Sequence, residues 1–127
     1  MFRVGLIDAS EVIRSGRSML LSSQPNLNVV FESGDPMGSI ETTVEYLLDV
    51  LIVDARIPGA DLSLYLTRLG AALLEAQNPV RIIVSTTFDS PELNLLAFEH
   101  GASATCAQDL GASAFLATVR KVAAGGF

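Results

Sequence analysis

Polar side chains close the apolar runs of this chain, at the points where a site could form. Asp8 ends the run RVGLID, Asp54 ends VLIVD and Thr86 ends RIIVST. Ligands of an open parallel sheet bind beyond the carboxyl ends of its strands, so these carboxylate and hydroxyl groups would meet at one edge. Gln108 ends a fifth, weaker run, SATCAQ, and Asp109 follows it. The pattern predicts one acidic site built from strand ends.

Several other chemistries lack their sequence signatures. There is no GxGxxG and no GxxxxGK[ST], so a nucleotide-binding loop is unsupported. A GxSxG motif is also absent, and His100 is the single histidine, which leaves little for a hydrolase triad or a zinc site. Cys106 is the single cysteine, which excludes a disulfide within the chain, and its apolar surroundings indicate buried packing.

The apolar runs themselves predict the strands that position these residues. Four runs are rich in Val, Ile and Leu, which is typical of strands buried on both faces. The fifth contains Ala and Ser, which are weaker strand formers. The predicted strands are 3–8, 28–32, 50–54, 81–86 and 103–108.

Apolar residues with a period near 3.6 predict a helix after each strand. The five stripes are Val12, Ile13, Gly16, Met19 and Leu20; Met37, Ile40, Val44 and Leu47; Tyr65, Leu66, Leu69, Ala72 and Leu73; Leu93, Leu96 and Ala97; and Phe115, Leu116, Val119, Val122 and Ala123. Strands that alternate with helices imply right-handed crossovers and a parallel sheet covered on both faces. The sequence therefore predicts one doubly wound α/β domain over residues 1–127.

Composition narrows the class of protein further. Half of the 127 residues are hydrophobic and 17% are charged, which excludes disorder. No apolar run reaches the ~18 residues of a membrane span, and MFRVGLID is not a signal peptide. The net charge of −6 and the scattered arginines argue against nucleic-acid binding by this chain. Arg14 and Arg17 share a helix face, which we interpret as solvated. We expect an acidic, cytoplasmic domain.

Taken together, the ordered motifs resemble the receiver domain of bacterial two-component response regulators. The segments that carry the resemblance are VGLIDASEVIR (4–14), VDARIPGAD (53–61), IIVSTTFD (82–89) and AFEHGASATCAQD (97–109). The alanine- and glycine-rich VAAGG (122–126) is similar to the end of LuxR/NarL-type receivers. The resemblance implies a flavodoxin-like (βα)5 fold with strand order 2-1-3-4-5. It also implies a helix-turn-helix DNA-binding domain beyond Phe127.

The resemblance assigns roles to individual residues and exposes three departures. It implies that Asp54 accepts a phosphoryl group, that Thr86 is the switch hydroxyl and that Asp8 belongs to an acidic pair. The second member of that pair is Ala9, so one expected Mg²⁺ ligand is missing. Gln108 stands at the position of the family lysine, and Thr105 at that of the aromatic switch residue.

These departures have physical consequences. Two unit charges 4 Å apart attract by roughly 4 kcal/mol at an effective dielectric of 20, and glutamine forfeits much of that. Losing one carboxylate and one lysine leaves the net charge of the site unchanged, so Asp8 and Asp54 can rest without metal or phosphate, and any Mg²⁺ site is weak. Thr105 is small and stiff, so the usual bistable aromatic is absent.

We therefore expect a receiver-like signalling domain with an impaired phosphorylation site, not an enzyme. It would act through protein contacts, as a homodimer or by controlling an attached DNA-binding domain. Two alternatives stay open. One is a conventional receiver that takes phosphate on Asp54 from a histidine kinase. The other is a small flavodoxin-like ligand-binding protein, which the missing phosphate loop disfavours.

Overall fold

The computed structural model describes residues 1–126, so Phe127 of the predicted domain lies outside the described residues. Five strands alternate with five helices. The strands are β1 (Phe2–Ile7), β2 (Leu27–Ser33), β3 (Val50–Asp54), β4 (Arg81–Thr86) and β5 (Ala104–Ala107). The helices are α1 (Glu11–Ser22), α2 (Ile40–Glu45), α3 (Leu62–Glu75), α4 (Pro91–Glu99) and α5 (Gly111–Ala123). Short 3₁₀ turns at Met37–Ser39 and Gln108–Leu110 precede α2 and α5.

All strands are parallel, in the order β2-β1-β3-β4-β5, which confirms the predicted fold. The register fixes which strand ends meet. Ile7 of β1 pairs with Val53 of β3, so the residues that come next, Asp8 and Asp54, lie side by side at the ends of these neighbouring strands. Asp54 in turn pairs with Ser85 of β4. The three predicted strand-end positions therefore lie at one edge of the sheet.

Two hydrophobic layers cover the sheet. One contains the buried face of α3, including Tyr65, Leu66 and Leu69. The other contains the buried face of α5, including Phe115 and Val119. The central strand β3 is buried along its whole length, as expected. The expectation of burial on both faces is wrong for β2, which is partly exposed because it is an edge strand with β1 as its single neighbour.

The helical stripes predicted for α3 and α5 are confirmed. The α1 stripe is confirmed only for Ile13 and Leu20, which are half-buried, and is wrong for Val12 and Met19. Val12 is 83% exposed and Met19 also faces solvent, whereas Leu21 is buried. Arg17 takes the inward-facing position between Val12 and Leu21 along α1, and its long side chain lies over the ring of Phe115. The second stripe also ends early, because α2 stops at Glu45 and Leu47 is exposed.

Helix ends follow local chemistry. Ser10 is the N-cap of α1 and accepts a hydrogen bond from the Ile13 amide at 3.3 Å. His100 ends α4, and its Nδ1 lies 2.8 Å from the Leu96 carbonyl oxygen. Within residues 1–126, no helix has the length and apolar content to cross a membrane.

Candidate functional site

Asp8, Asp54 and Thr86 lie together at the carboxyl edge of the sheet, and all three are buried. Asp8 directly follows β1, while Asp54 and Thr86 are the last residues of β3 and β4. Gln108 directly follows β5, and its side chain reaches Asp54. The strand-end pattern thus brings four predicted residues to one place.

Four hydrogen bonds saturate the carboxylate of Asp54. Its Oδ1 accepts from the Arg56 amide and from Arg56 Nε, each at 2.8 Å. Its Oδ2 accepts from Arg56 Nη2 at 3.2 Å and from Gln108 Nε2 at 2.9 Å. Arg56 therefore donates to both oxygens through the planar fork of its guanidinium, which is a strong form of charge-assisted hydrogen bonding. Both oxygens of Asp54 are engaged within the chain.

The turn after β3 is what brings Arg56 to this position. An Asp oxygen that accepts the amide two residues later folds the chain into a tight local turn. Gly59, with φ +75°, then redirects the backbone toward α3. The Arg56 side chain is 57% exposed, and its hydrogen bonds to Asp54 raise the Arg56 pKa. Sequence reasoning missed Arg56, although an arginine two residues after a strand-ending Asp is a detectable signal.

Asp8 has different surroundings from Asp54. Its Oδ1 accepts a hydrogen bond from the Ser10 amide at 2.8 Å, while its buried Oδ2 has no partner among residues 1–126. Burial raises the pKa of Asp8, and the nearby Asp54 charge acts in the same direction. The Ser10 amide, Arg17 and Arg56 oppose that shift without cancelling it. Asp8 is thus a carboxylate whose charge is poorly compensated.

Two arginines of α1 also belong to this region, so their interpretation as a solvated face is wrong. Arg14 Nη1 donates to the backbone carbonyl of Asp8 at 2.7 Å. Arg17 lies 4.7 Å from the ring centroid of Phe115. Its Nη1 is buried without a hydrogen-bond partner in the described chain, and burial lowers its pKa. Arg17 was missed as a site residue because the helical period placed apolar residues beside it.

The hydroxyl groups of β4 are buried and unpaired. Thr86 Oγ1 and Ser85 Oγ have no hydrogen-bond partner in the part of the chain that the structure describes. Thr86 therefore keeps a hydroxyl that is free to bind another group at the strand-end site. Thr105 lies on β5 opposite Val84 and is partly exposed.

The donors present do not fit the Mg²⁺ ion that the resemblance implies. Ala9 offers no carboxylate, and both oxygens of Asp54 accept hydrogen bonds from Arg56 and Gln108. Asp8 Oδ2 is the one carboxylate oxygen of the pair that is left over. Mg²⁺ requires octahedral oxygen ligands, commonly with one or two carboxylates. Across residues 1–126, no group of three or more His, Cys, Asp or Glu could hold a metal ion.

Curated proteins similar to this chain include two bacterial transcriptional regulators. The chain is 31% identical over 125 residues to the DNA-binding transcriptional activator DevR/DosR of Mycobacterium tuberculosis, covering 98% of this chain and 56% of that protein. It is 26% identical over 130 residues to the transcriptional regulatory protein LnrK of Bacillus subtilis, covering 99% of this chain and 56% of that one. No protein-family model matches.

Among solved structures, the chain is similar to the signal receiver domain of the response regulator NarL from Mycobacterium tuberculosis. The TM-score is 0.84 at 27% identity, over 98% of this chain and 97% of that domain. The chain spans about half the length of the curated relatives it matches. The similarity therefore covers one domain of proteins that are longer than this chain.

Proposed function

Because this chain is a response-regulator receiver domain of the LuxR/NarL type, we propose that it signals without phosphorylation of Asp54. The observation that carries the proposal is the set of four hydrogen bonds on the Asp54 carboxylate. A nucleophile must present a free lone pair to the phosphoryl donor. Asp54 instead directs both oxygens at Arg56 and Gln108.

The charges around Asp54 support the same proposal. Arg56 already supplies a cation, so the ground state of the carboxylate is stabilised before any phosphoryl donor arrives. Catalysis requires groups that stabilise the transition state more than the ground state. Gln108 is neutral and its Nε2 donates to Asp54. We propose that Mg²⁺ binds weakly or not at all, since Asp8 Oδ2 is the available carboxylate oxygen.

Signal output in this proposal passes through protein contacts rather than catalysis. The domain would form a homodimer in the cytoplasm and control a DNA-binding domain attached beyond residue 127. DevR/DosR, a DNA-binding transcriptional activator, supports that arrangement because this chain matches about half of its length. The net charge of −6 supports DNA binding by the attached segment rather than by this chain.

Incubation with acetyl phosphate and Mg²⁺ tests the proposal, with intact-protein mass as the measurement. We expect no added phosphoryl mass on the natural chain or on Asp54→Asn, under conditions that label an unaltered receiver of the same family. A combined Ala9→Asp, Arg56→Ala, Gln108→Lys variant should gain one phosphoryl group, because it frees Asp54 and restores the missing charges.

The conventional alternative makes the opposite prediction. If Asp54 is an ordinary phosphoacceptor for a histidine kinase, the natural chain gains the mass of one phosphoryl group and Asp54→Asn does not. That result would overturn the proposal, since it would show that Arg56 leaves Asp54 readily enough for phosphoryl transfer.

A further inference from the structure

An open cavity of about 280 Å³ lies between α1 and the start of α5, beside Gln108, which hydrogen-bonds to Asp54. Its apolar lining comes from Ile13 and Leu20 of α1 and from Ala112 and Phe115 of α5. Its polar lining comes from Arg17 and Gln108. The cavity thus combines an apolar wall with one cationic and one amide side chain.

Arg17 is an unsatisfied cation at this cavity. Its Nη1 is buried and has no hydrogen-bond acceptor among residues 1–126. The face of the Phe115 ring, 4.7 Å away, holds the guanidinium but offers it no lone pair. Buried charged groups are normally paired with an opposite charge, because desolvation without a partner is costly. Arg17 therefore lacks the anionic acceptor that would compensate its buried charge.

Asp8 does not meet that need directly. Asp8 attracts Arg17 electrostatically, but no ion pair within 4.0 Å joins them, and Asp8 Oδ2 is itself unpartnered. Asp54 is already bound by Arg56. The guanidinium of Arg17 is consequently a cation at this cavity that can bind an anion without breaking a hydrogen bond on Nη1, once a rotation of the side chain exposes that buried nitrogen.

The size of the cavity limits what can bind. An engineered cavity of about 150 Å³ holds benzene, so about twice that volume suits one small ring with a polar head group. A bidentate anion such as a carboxylate matches the fork of a guanidinium. We propose that this cavity binds a small monocarboxylate, with its carboxylate on Arg17 and its apolar body against Ile13, Leu20 and Phe115.

Gln108 links this cavity to the strand-end site. Its side chain lines the cavity, and its Nε2 donates to Asp54 Oδ2 at 2.9 Å. A carboxylate bound at Arg17 would alter the surroundings of Gln108 and, through it, of Asp54. The proposed binding does not depend on whether Asp54 is phosphorylated, so the two proposals fail separately.

Titration of the full chain with benzoate, followed through backbone amide NMR shifts, tests the proposal. We expect saturable shifts at residues 13–20 and 108–115. Benzamide has the same shape without the charge and should bind at least about tenfold more weakly, the usual effect of losing a charge-assisted hydrogen bond. Equal binding of benzoate and benzamide, or no shifts with benzoate, overturns the proposal.

Variants separate Arg17 from general effects of charge. Arg17→Gln should weaken benzoate binding by about tenfold or more, whereas Arg68→Gln, at an exposed arginine of α3, should leave it unchanged. Ala112→Phe fills the cavity from an exposed position and should abolish binding even if Arg17→Gln fails to fold. Unchanged binding in Ala112→Phe, or equal losses in both arginine variants, overturns the proposal.

Discussion

Asp8 and Asp54 are both buried at the same sheet edge, but their carboxylate oxygens differ in how fully they are hydrogen-bonded. Asp54 accepts four hydrogen bonds, three of them from Arg56. The side chain of Asp8 accepts one hydrogen bond, from the Ser10 backbone amide, and its Oδ2 has no partner among the described residues. The negative charge of Asp8 is therefore the one that the folded state tolerates poorly.

The pH dependence of stability should reveal that difference. Burial raises the pKa of Asp8 above its ordinary value of 3.8, so the folded state binds this proton more tightly than the unfolded state. The Asp8 contribution to stability is then lost as pH rises from about 3.8 through the raised pKa. Asp8→Asn should remove this slope and raise the free energy of unfolding at pH 7, because asparagine carries no charge to be buried.

Urea denaturation across that pH range measures both effects. Asp109→Asn, at an exposed carboxylate, controls for the loss of one negative charge. A lower stability of Asp8→Asn than of the natural chain at pH 7 would show that the charged form of Asp8 is favoured by the fold.

Sequence patterns located the residues at the strand ends but not the two arginines of the site. Asp8, Asp54 and Thr86 could be placed because parallel strands end at a common edge. Arg17 and Arg56 could not, because the direction of a long, flexible side chain is decided by tertiary packing. Phe115, which receives Arg17, lies on a helix nearly a hundred residues away in sequence.

At the scale of elements, two glycines have room for a side chain but differ in backbone conformation. A Cβ at Gly59 or at Gly70 would meet no atom within 4 Å. Gly59 has φ +75° in the turn after β3, a conformation that costs an L-residue about 1–2 kcal/mol. Gly70 lies inside α3, where alanine is favoured by about 0.5–1 kcal/mol.

Alanine substitutions at these positions should therefore change stability in opposite directions. Gly59→Ala should lower the free energy of unfolding by about 1 kcal/mol, and Gly70→Ala should raise it by somewhat less. Urea denaturation of the two variants beside the natural chain is the measurement. A Gly59→Ala variant at least as stable as the natural chain would mean that the turn after β3 adapts to a side chain, and a destabilised Gly70→Ala would contradict the prediction for α3.

Elements were predictable to the extent that burial followed local periodicity. The α5 stripe, from Phe115 to Ala123, is buried throughout. The α1 stripe failed in part because Arg17 occupies an inward position, and sequence periodicity treats arginine as a surface residue. The burial of β2 was overestimated because an edge position depends on strand order, which no local pattern contains.

At the scale of the whole molecule, α4 leaves several large apolar side chains exposed. Ala97 is its one buried residue, whereas Leu95 is 60% and Phe98 50% exposed. Phe88, just before the helix, is exposed as well. Adjacent exposed apolar side chains mark protein interaction surfaces. We expect α4 to form the contact surface of the proposed homodimer.

Sedimentation equilibrium tests this assembly. The natural chain should form a dimer, and Leu95→Glu should shift it to the monomer, since the substitution places a charge in the contact while retaining a good helix former. Leu74→Glu changes a more exposed leucine on α3 and should leave the dimer intact. A monomeric natural chain, or a dimer unaffected by Leu95→Glu, would contradict the prediction.

The hydrogen-bonded pairing of Arg56 and Gln108 with Asp54 also constrains how this sequence can evolve. Lysine alone at position 108 would add a cation beside Arg17 and Arg56, which already face two carboxylates. Aspartate alone at position 9 would add a like charge beside the poorly compensated Asp8. Substitutions at neighbouring positions of one network are not additive. Under the proposed function, a gain of phosphorylation on Asp54 would therefore be strongly epistatic, because it would require several coordinated changes whose single steps we expect to be unfavourable.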